Sequence, residues 1–244
     1  MIYNYDRDFL TSYSLLDRSE RLGLAESMDL NQDSVTEFFR TMGTDNITIK
    51  KSDNSAWVFT NVRLHFDESP HWLTKGHIHT FVSKLSPVRI TVETVVTEEG
   101  ERPLFNAKTQ LCPINLVTRK VVAISSVSFP GDVEAEPSIM PAPFSRITDE
   151  FSGEELVLEE TVRPSDTDFT HHTNNTRYVR FIADTFSREF LDGGNVSDFD
   201  IQFLKETRDG DKVSVYRKTA GENETRFMIS CDGAPVVKAA MWTK

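Results

Sequence analysis

Hydrophobic and polar positions along this chain run twice through one plan: an extended stretch, a polar turn holding an aspartate, an apolar helix, then a series of strands. In the first cycle an extended stretch around Phe9–Leu16 leads to Asp17-Arg18-Ser19-Glu20. Leu24, Met28, Val35, Phe38, Phe39 and Met42 then recur near the helical period. Gly43 follows as a C-cap, free to take positive φ. Strand-like runs come next at Ile47–Lys50, Ala56–Phe66, His77–Leu85, Arg89–Thr97, Leu104–Leu111 and Val117–Val127. The Glu98-Glu99-Gly100-Glu101 stretch reads as a hairpin turn.

Between Pro130 and Gly153 the periodicity lapses. Pro130, Pro137, Pro141 and Pro143 each remove a backbone donor, which marks a linker. Its apolar members Ile139, Met140 and Phe144 predict that it lies against the body instead of hanging free.

The second cycle opens with a strand at Leu156–Val162. A polar cluster and a helix over Thr173–Leu191 follow, with Tyr178, Ile182, Phe186 and Phe190 spaced by four. Gly193-Gly194 closes the helix. Strands are expected at Asp200–Glu206, Lys212–Lys218, Glu224–Cys231 and Val236–Trp242, with Asp232-Gly233 as a hairpin turn. One long apolar helix followed by an antiparallel meander predicts an α+β fold in which a curled sheet wraps the helix, since such a helix must be apolar over a wide arc.

Composition narrows the classes. With 38% hydrophobic and 10% aromatic residues the chain is a folded globular protein. A net charge of −11 argues against a general nucleic-acid binder. Two cysteines, Cys112 and Cys231, form neither a disulfide framework nor a zinc spacing. The N-terminus lacks a signal-peptide pattern and no apolar run has membrane-spanning length, so a soluble cytoplasmic protein without membrane association is expected. His77 and His79 share one strand face, but no acidic or thiol cluster accompanies them, nor His65 or His71. Surface histidines are therefore expected, and neither a metal nor a cofactor is called for.

The densest chemistry is Asp166-Thr167-Asp168-Phe169-Thr170-His171-His172-Thr173-Asn174-Asn175, at a strand-to-helix junction. A helix start presents unpaired N–H groups and the positive end of a dipole. Carboxylates, an imidazole able to exchange protons near neutrality, and ready oxyanion donors are the equipment of acyl transfer or hydrolysis. Asn174 and Asn175 suit either helix capping or substrate binding, and Asp166 suits a structural role.

The spacing of Asp166, Asp168, Thr170, His172, Asn174, Asn175 and Tyr178 resembles the signature of plant and bacterial acyl-acyl-carrier-protein thioesterases. Phe203-Leu204-Lys205-Glu206-Thr207-Arg208-Asp209 resembles a second segment of that family. Two positions depart: Thr170 stands where the family usually has Asn, and Thr207 where plant members have Cys. The resemblance implies a tandem double hotdog, with an N-terminal hotdog at 1–129, a linker at 130–153 and a catalytic hotdog at 154–244. It implies hydrolysis of fatty acyl-carrier-protein thioesters by water, with Asp168, Thr170, His172 and Glu206 as the catalytic set and Glu206 as the water activator.

In such proteins the first half lines the acyl channel, for which Trp57, Phe59 and Phe81 are the candidates here. The implied partner is the acidic acyl-carrier protein. Its docking would need a local basic patch on this acidic body, drawn from Lys205, Arg208, Arg177, Arg180, Lys50 and Lys51. The chain could act as a monomer or a homodimer. Two other readings stay open: an acyl-coenzyme A thioesterase, and a non-catalytic acyl-binding hotdog protein, which the change at Thr170 would suit.

Overall fold

The computed structural model describes residues 1–99, 102–148, 150–187, 189–190 and 196–244. The Gly100-Glu101 tip of the first hairpin, Leu191 and the Gly193-Gly194 stop lie outside the described residues.

One ten-stranded antiparallel sheet carries the molecule. The first five strands are β1 (Asn4–Leu10), β2 (Ser55–Phe66), β3 (Lys75–Ser86), β4 (Arg89–Glu98) and β5 (Pro103–Asn115). The second five are β6 (Leu156–Thr161), β7 (Val196–Phe203), β8 (Lys212–Thr219), β9 (Glu224–Cys231) and β10 (Ala234–Thr243). Their order is β1-β3-β4-β5-β2-β7-β10-β9-β8-β6, so each half of the sheet repeats the other outward from the β2–β7 seam.

The seam has its own symmetry. Asn61 pairs with Gln202 and His65 with Asp198, which places Arg63 opposite Asp200 at its centre. There the Arg63 guanidinium clasps the buried Asp200 carboxylate through both Nε and Nη2.

Helix α1 (Leu24–Thr41) buries Met28, Val35, Phe38 and Phe39, as the apolar spacing predicts, and Gly43 follows at φ 69°. Helix α2 (Asn46–Ser52) replaces the strand expected at Ile47–Lys50. Asp45 overrides the β-branched residues there, because its carboxylate accepts the Ile47 and Thr48 N–H groups as an N-cap. Helix α3 (Asn175–Ala183) is shorter than the pattern suggests. The Thr185 hydroxyl bonds back to the Ile182 carbonyl, and Arg217 takes the Thr185 carbonyl, so the chain leaves the helix in tighter turns.

β1 begins earlier than expected and stops at Leu10, with a 3-10 turn at Tyr13–Leu15 after it. β7 likewise begins before Asp200 and ends at Phe203. The Val117–Val127 run is no strand but a turn and a 3-10 helix at Ile124–Ser126, because Asn115 accepts the Val117 and Thr118 N–H groups and reverses the chain. Asp232 and Gly233 form the expected hairpin turn, both with positive φ.

One core cluster joins the halves, with Met28, Tyr178, Val179, Phe181, Phe105 and Phe227 among its members. A second packs the end of α1 and Trp57 on the first-half strands.

The segment after Pro130 crosses the outer face of the sheet and is tied down strand by strand. Glu93 of β4 accepts the Ser138 hydroxyl and the Ile139 and Met140 N–H groups. Lys108 of β5 donates to the Met140 carbonyl, Asp200 of β7 accepts the Ser145 N–H, and Lys238 of β10 donates to the Ile147 carbonyl. It is a bound strap, as its apolar residues predict.

Candidate active site

After β6 a single 3-10 turn (Pro164–Asp166) delivers the polar cluster to the start of α3. Asp166 is buried and serves the backbone. Its carboxylate accepts the Arg163 N–H and faces Arg177 Nε at 2.9 Å, and its carbonyl accepts the Asn174 N–H. The turn from Thr167 to Thr173 is closed by the Asp168 N–H on the His172 carbonyl and the His171 N–H on the Asp168 carbonyl, both at 3.0 Å. His171, at the left-handed φ of 63°, points away as an exposed residue.

The side chains of this turn form a line. Asp168 Oδ1 accepts the Thr170 N–H at 2.7 Å and the Thr170 hydroxyl at 2.5 Å. Thr170 Oγ1 lies 3.1 Å from His172 Nδ1. A hydroxyl has one proton to give, and the carboxylate takes it, so Nδ1 of His172 carries a proton and donates to Thr170. Nε2 is thereby turned outward. It meets Glu206 Oε2 at 3.2 Å and Arg208 Nη2 at 3.3 Å. A neutral imidazole accepts there from Arg208; an imidazolium donates to Glu206.

Glu206 lies three residues past the end of β7, on a loop pinned at both sides. The Leu204 and Lys205 N–H groups bond to the Val236 carbonyl, and the Thr207 carbonyl accepts the Thr173 N–H at 2.8 Å. The Thr207 hydroxyl is buried between Thr173 Oγ1 (2.6 Å) and Tyr178 Oη (2.8 Å). Burial pushes the Tyr178 phenol above its ordinary range, which keeps it a neutral member of this hydroxyl cluster.

The four predicted catalytic residues are therefore brought together in one row of polar contacts, and a residue of the first half joins them. Arg119 pairs with Glu206 Oε2. The pattern gave no sign of it, because Arg119 sits in the run read as a strand; the only signal was Asn115 three residues before Thr118, an Asx-turn spacing.

Other candidates are placed differently. Asn174 caps α3 by accepting the Thr176 N–H, and Asn175 donates to Gln32 of α1 at 3.2 Å. Trp57 is buried, with its indole N–H on the Thr44 carbonyl, and Phe59 touches both core clusters. Phe81 alternates with Ile78 and Val82, so it shares the outer face with His79 and belongs to neither cluster. Of the docking cations, Arg177 pairs with Asp166, and Arg180 with Glu26 and Asp29.

The sheet of two like halves, each with its helix and the helices packed on one another, defines a double hotdog, and the acid–imidazole–acid row lies at the start of α3. Residues 150–244 match the family model of the acyl-ACP thioesterase C-terminal domain. The fold agrees over nearly all of the chain. It superimposes on an acyl-ACP thioesterase from Bacteroides thetaiotaomicron with a TM-score of 0.89 and 23% identity, covering 99% of this chain and 98% of that one. A 12:0-ACP thioesterase from Umbellularia californica gives a TM-score of 0.82 at 13% identity, with 99% and 97% covered. No curated protein sequence matches the chain. No described helix is long and apolar enough to cross a membrane.

Proposed function

We propose that this protein hydrolyses fatty acyl-acyl-carrier-protein thioesters to free fatty acid and the holo carrier protein. The observation that carries this reading is the row Asp168–Thr170–His172–Glu206 at the start of α3. Glu206 takes a proton from water as the water oxygen attacks the thioester carbonyl carbon. The proton passes from Glu206 to His172 Nε2 across their 3.2 Å contact, and as the tetrahedral intermediate collapses and the C–S bond breaks, His172 delivers it to the departing thiolate. Asp168 and Thr170 keep the His172 ring in the orientation and tautomer that this exchange needs.

The Thr173 and Asn174 N–H groups are spent on carbonyls of Thr207 and Asp166. We therefore assign the oxyanion donor to the Asn175 N–H in the first turn of α3, where one such donor stabilises the transition state by about 3 kcal/mol. Arg119 holds the Glu206 carboxylate in place. Together with Lys205 and Arg208 it puts positive charge beside the row on an otherwise acidic body, which suits an acidic carrier.

Residues 1–129 form the acyl-chain half in this reading, with Trp57 and Phe59 along the chain and Phe81 left aside on the opposite sheet face. Residues 130–153 are the strap and 154–244 the catalytic half. We place the activity in the cytoplasm, in fatty acid biosynthesis.

Thiol release from acyl-carrier-protein thioesters of graded chain length tests this directly. The purified protein is expected to turn them over in preference to coenzyme A thioesters. Glu206→Gln is expected to lower kcat by about a hundredfold or more with the fold intact. Undiminished turnover by that variant removes Glu206 from the chemistry.

A further inference from the structure

The turn that carries Asp168 has a copy in the first half. Asp17 Oδ1 accepts the Ser19 N–H (2.8 Å) and the Ser19 hydroxyl (2.6 Å), as Asp168 does from Thr170. The Asp17 N–H bonds to the Arg21 carbonyl, and Leu16 bridges to Leu22, as Thr167 does to Thr173. Glu20 takes φ 61°, the counterpart of His171 at 63°. The Leu22 N–H bonds to the Pro70 carbonyl at 2.7 Å, the counterpart of Thr173 and Thr207. Residue by residue, Ser19 then answers to Thr170, Arg21 to His172, Ser69 to Glu206 and Gly23 to Asn174. The backbone of the site is duplicated, while its base and its imidazole are not.

The copy opens onto a cavity of about 350 Å³, whose polar lining includes Asp17 and Ser69 and whose apolar lining includes Phe66, Ala183, Phe186 and Met241. None of Asp168, Thr170, His172 or Glu206 lines it. Its origin is the early end of α3. Where α1 continues for 18 residues, α3 stops after 9, and the chain turns away at Ala183 before Phe186 and Phe190 stack at 4.2 Å. A mainly apolar, concave space of this size falls at the lower end of small-ligand pockets.

We propose that this cavity is a second acyl site, which takes a long aliphatic chain with an uncharged polar head, the acyl-pantetheine arm being the type, and holds it without cleaving it. The choice of ligand rests on the functional reading above; the site itself rests on the duplicated turn and the cavity. An aliphatic chain fits the apolar lining. A fatty acid carboxylate does not suit the polar lining, because Asp17 is there and the nearby cations are already engaged: Arg177 faces Asp166, Arg180 faces Glu26 and Asp29, and Arg18 is not free either. The counterpart of Glu206, the water activator in the reading above, is missing, since Ser69 stands in its place.

Titration of the intact protein with S-dodecyl-pantetheine, an uncharged thioether that cannot be hydrolysed, tests the proposal by calorimetric stoichiometry. Two molecules are expected to bind each chain. Ala183→Trp and Ser69→Phe, which fill the cavity from its apolar and its polar lining, should each reduce this to one while thioester hydrolysis continues. Dodecanoate should not compete at the second site. A single binding event in the wild type, unchanged in both variants, overturns the second site and leaves the hydrolase reading standing. Two events without any thioester hydrolysis do the reverse.

Discussion

Thr170 is the residue at which the family signature and this chain part, and its geometry gives the change a role. Its hydroxyl links the Asp168 carboxylate to the His172 ring. Thr170→Val keeps the shape and removes the link, so kcat is expected to fall about tenfold or more, whereas Thr170→Ser should retain most of it; steady-state kinetics on the two variants checks this. Equal rates in the two would mean that the hydroxyl orients nothing. Arg119 acts through Glu206, and Arg119→Ala should lower kcat about tenfold with Arg119→Lys recovering part of the loss. At this scale the sequence drew attention to Asp168 and His172 through their clustered residue types, and to Glu206 through the resemblance of its segment. It drew none to Arg119, since nothing in a local pattern says which arginine crosses from another half of the chain.

Elements were legible where one period ran long. The apolar rows of α1, β4 and β9 predict those elements closely, because burial on one face enforces the period. They were misread where a single polar side chain decided the outcome, as Asp45 did for α2 and Thr185 for the end of α3.

The edge strand β1 shows a further polar control. His77 bonds to Asp6 and Asp8, and His79 to Asp6. The hydrogen bonds His77 gives to the Asp6 and Asp8 carboxylates raise it above its ordinary value of 6.5. Burial works against the Asp6 carboxylate, but the hydrogen bonds from His79 and His77 outweigh it and hold Asp6 below its ordinary value. The raised imidazole favours the folded clasp at low pH. Its contribution is complete below 6.5 and is lost as pH rises through the raised value. Amide exchange in β1 should therefore show weaker protection at about pH 8 than at about pH 5, once corrected for intrinsic rates, and His77→Gln should remove the difference.

The molecule as a whole is held where its two halves meet. At a true twofold axis a residue would face its own copy, so an arginine would face an arginine. Two unlike halves in one chain instead set Arg63 against Asp200, both largely buried, with Ser145 of the strap bonded to the same carboxylate. Burial of an ion pair adds little net stability, but removal of one partner strands the other. Asp200→Ala is expected to cost about 3–5 kcal/mol, read as a lowered midpoint in denaturant, and Arg63→Met with Asp200→Leu should recover much of it.

By itself the sequence determined the twofold repeat of elements, the helix faces and the clustering of acids, imidazole and amides before α3, because periodicity and residue chemistry are local properties. Only the tertiary structure decided which residues meet. The Arg119–Glu206 contact, the Arg63–Asp200 pair at the seam and the cavity beneath the copied turn all join groups far apart in the chain, and the packing of the two halves alone brings them together.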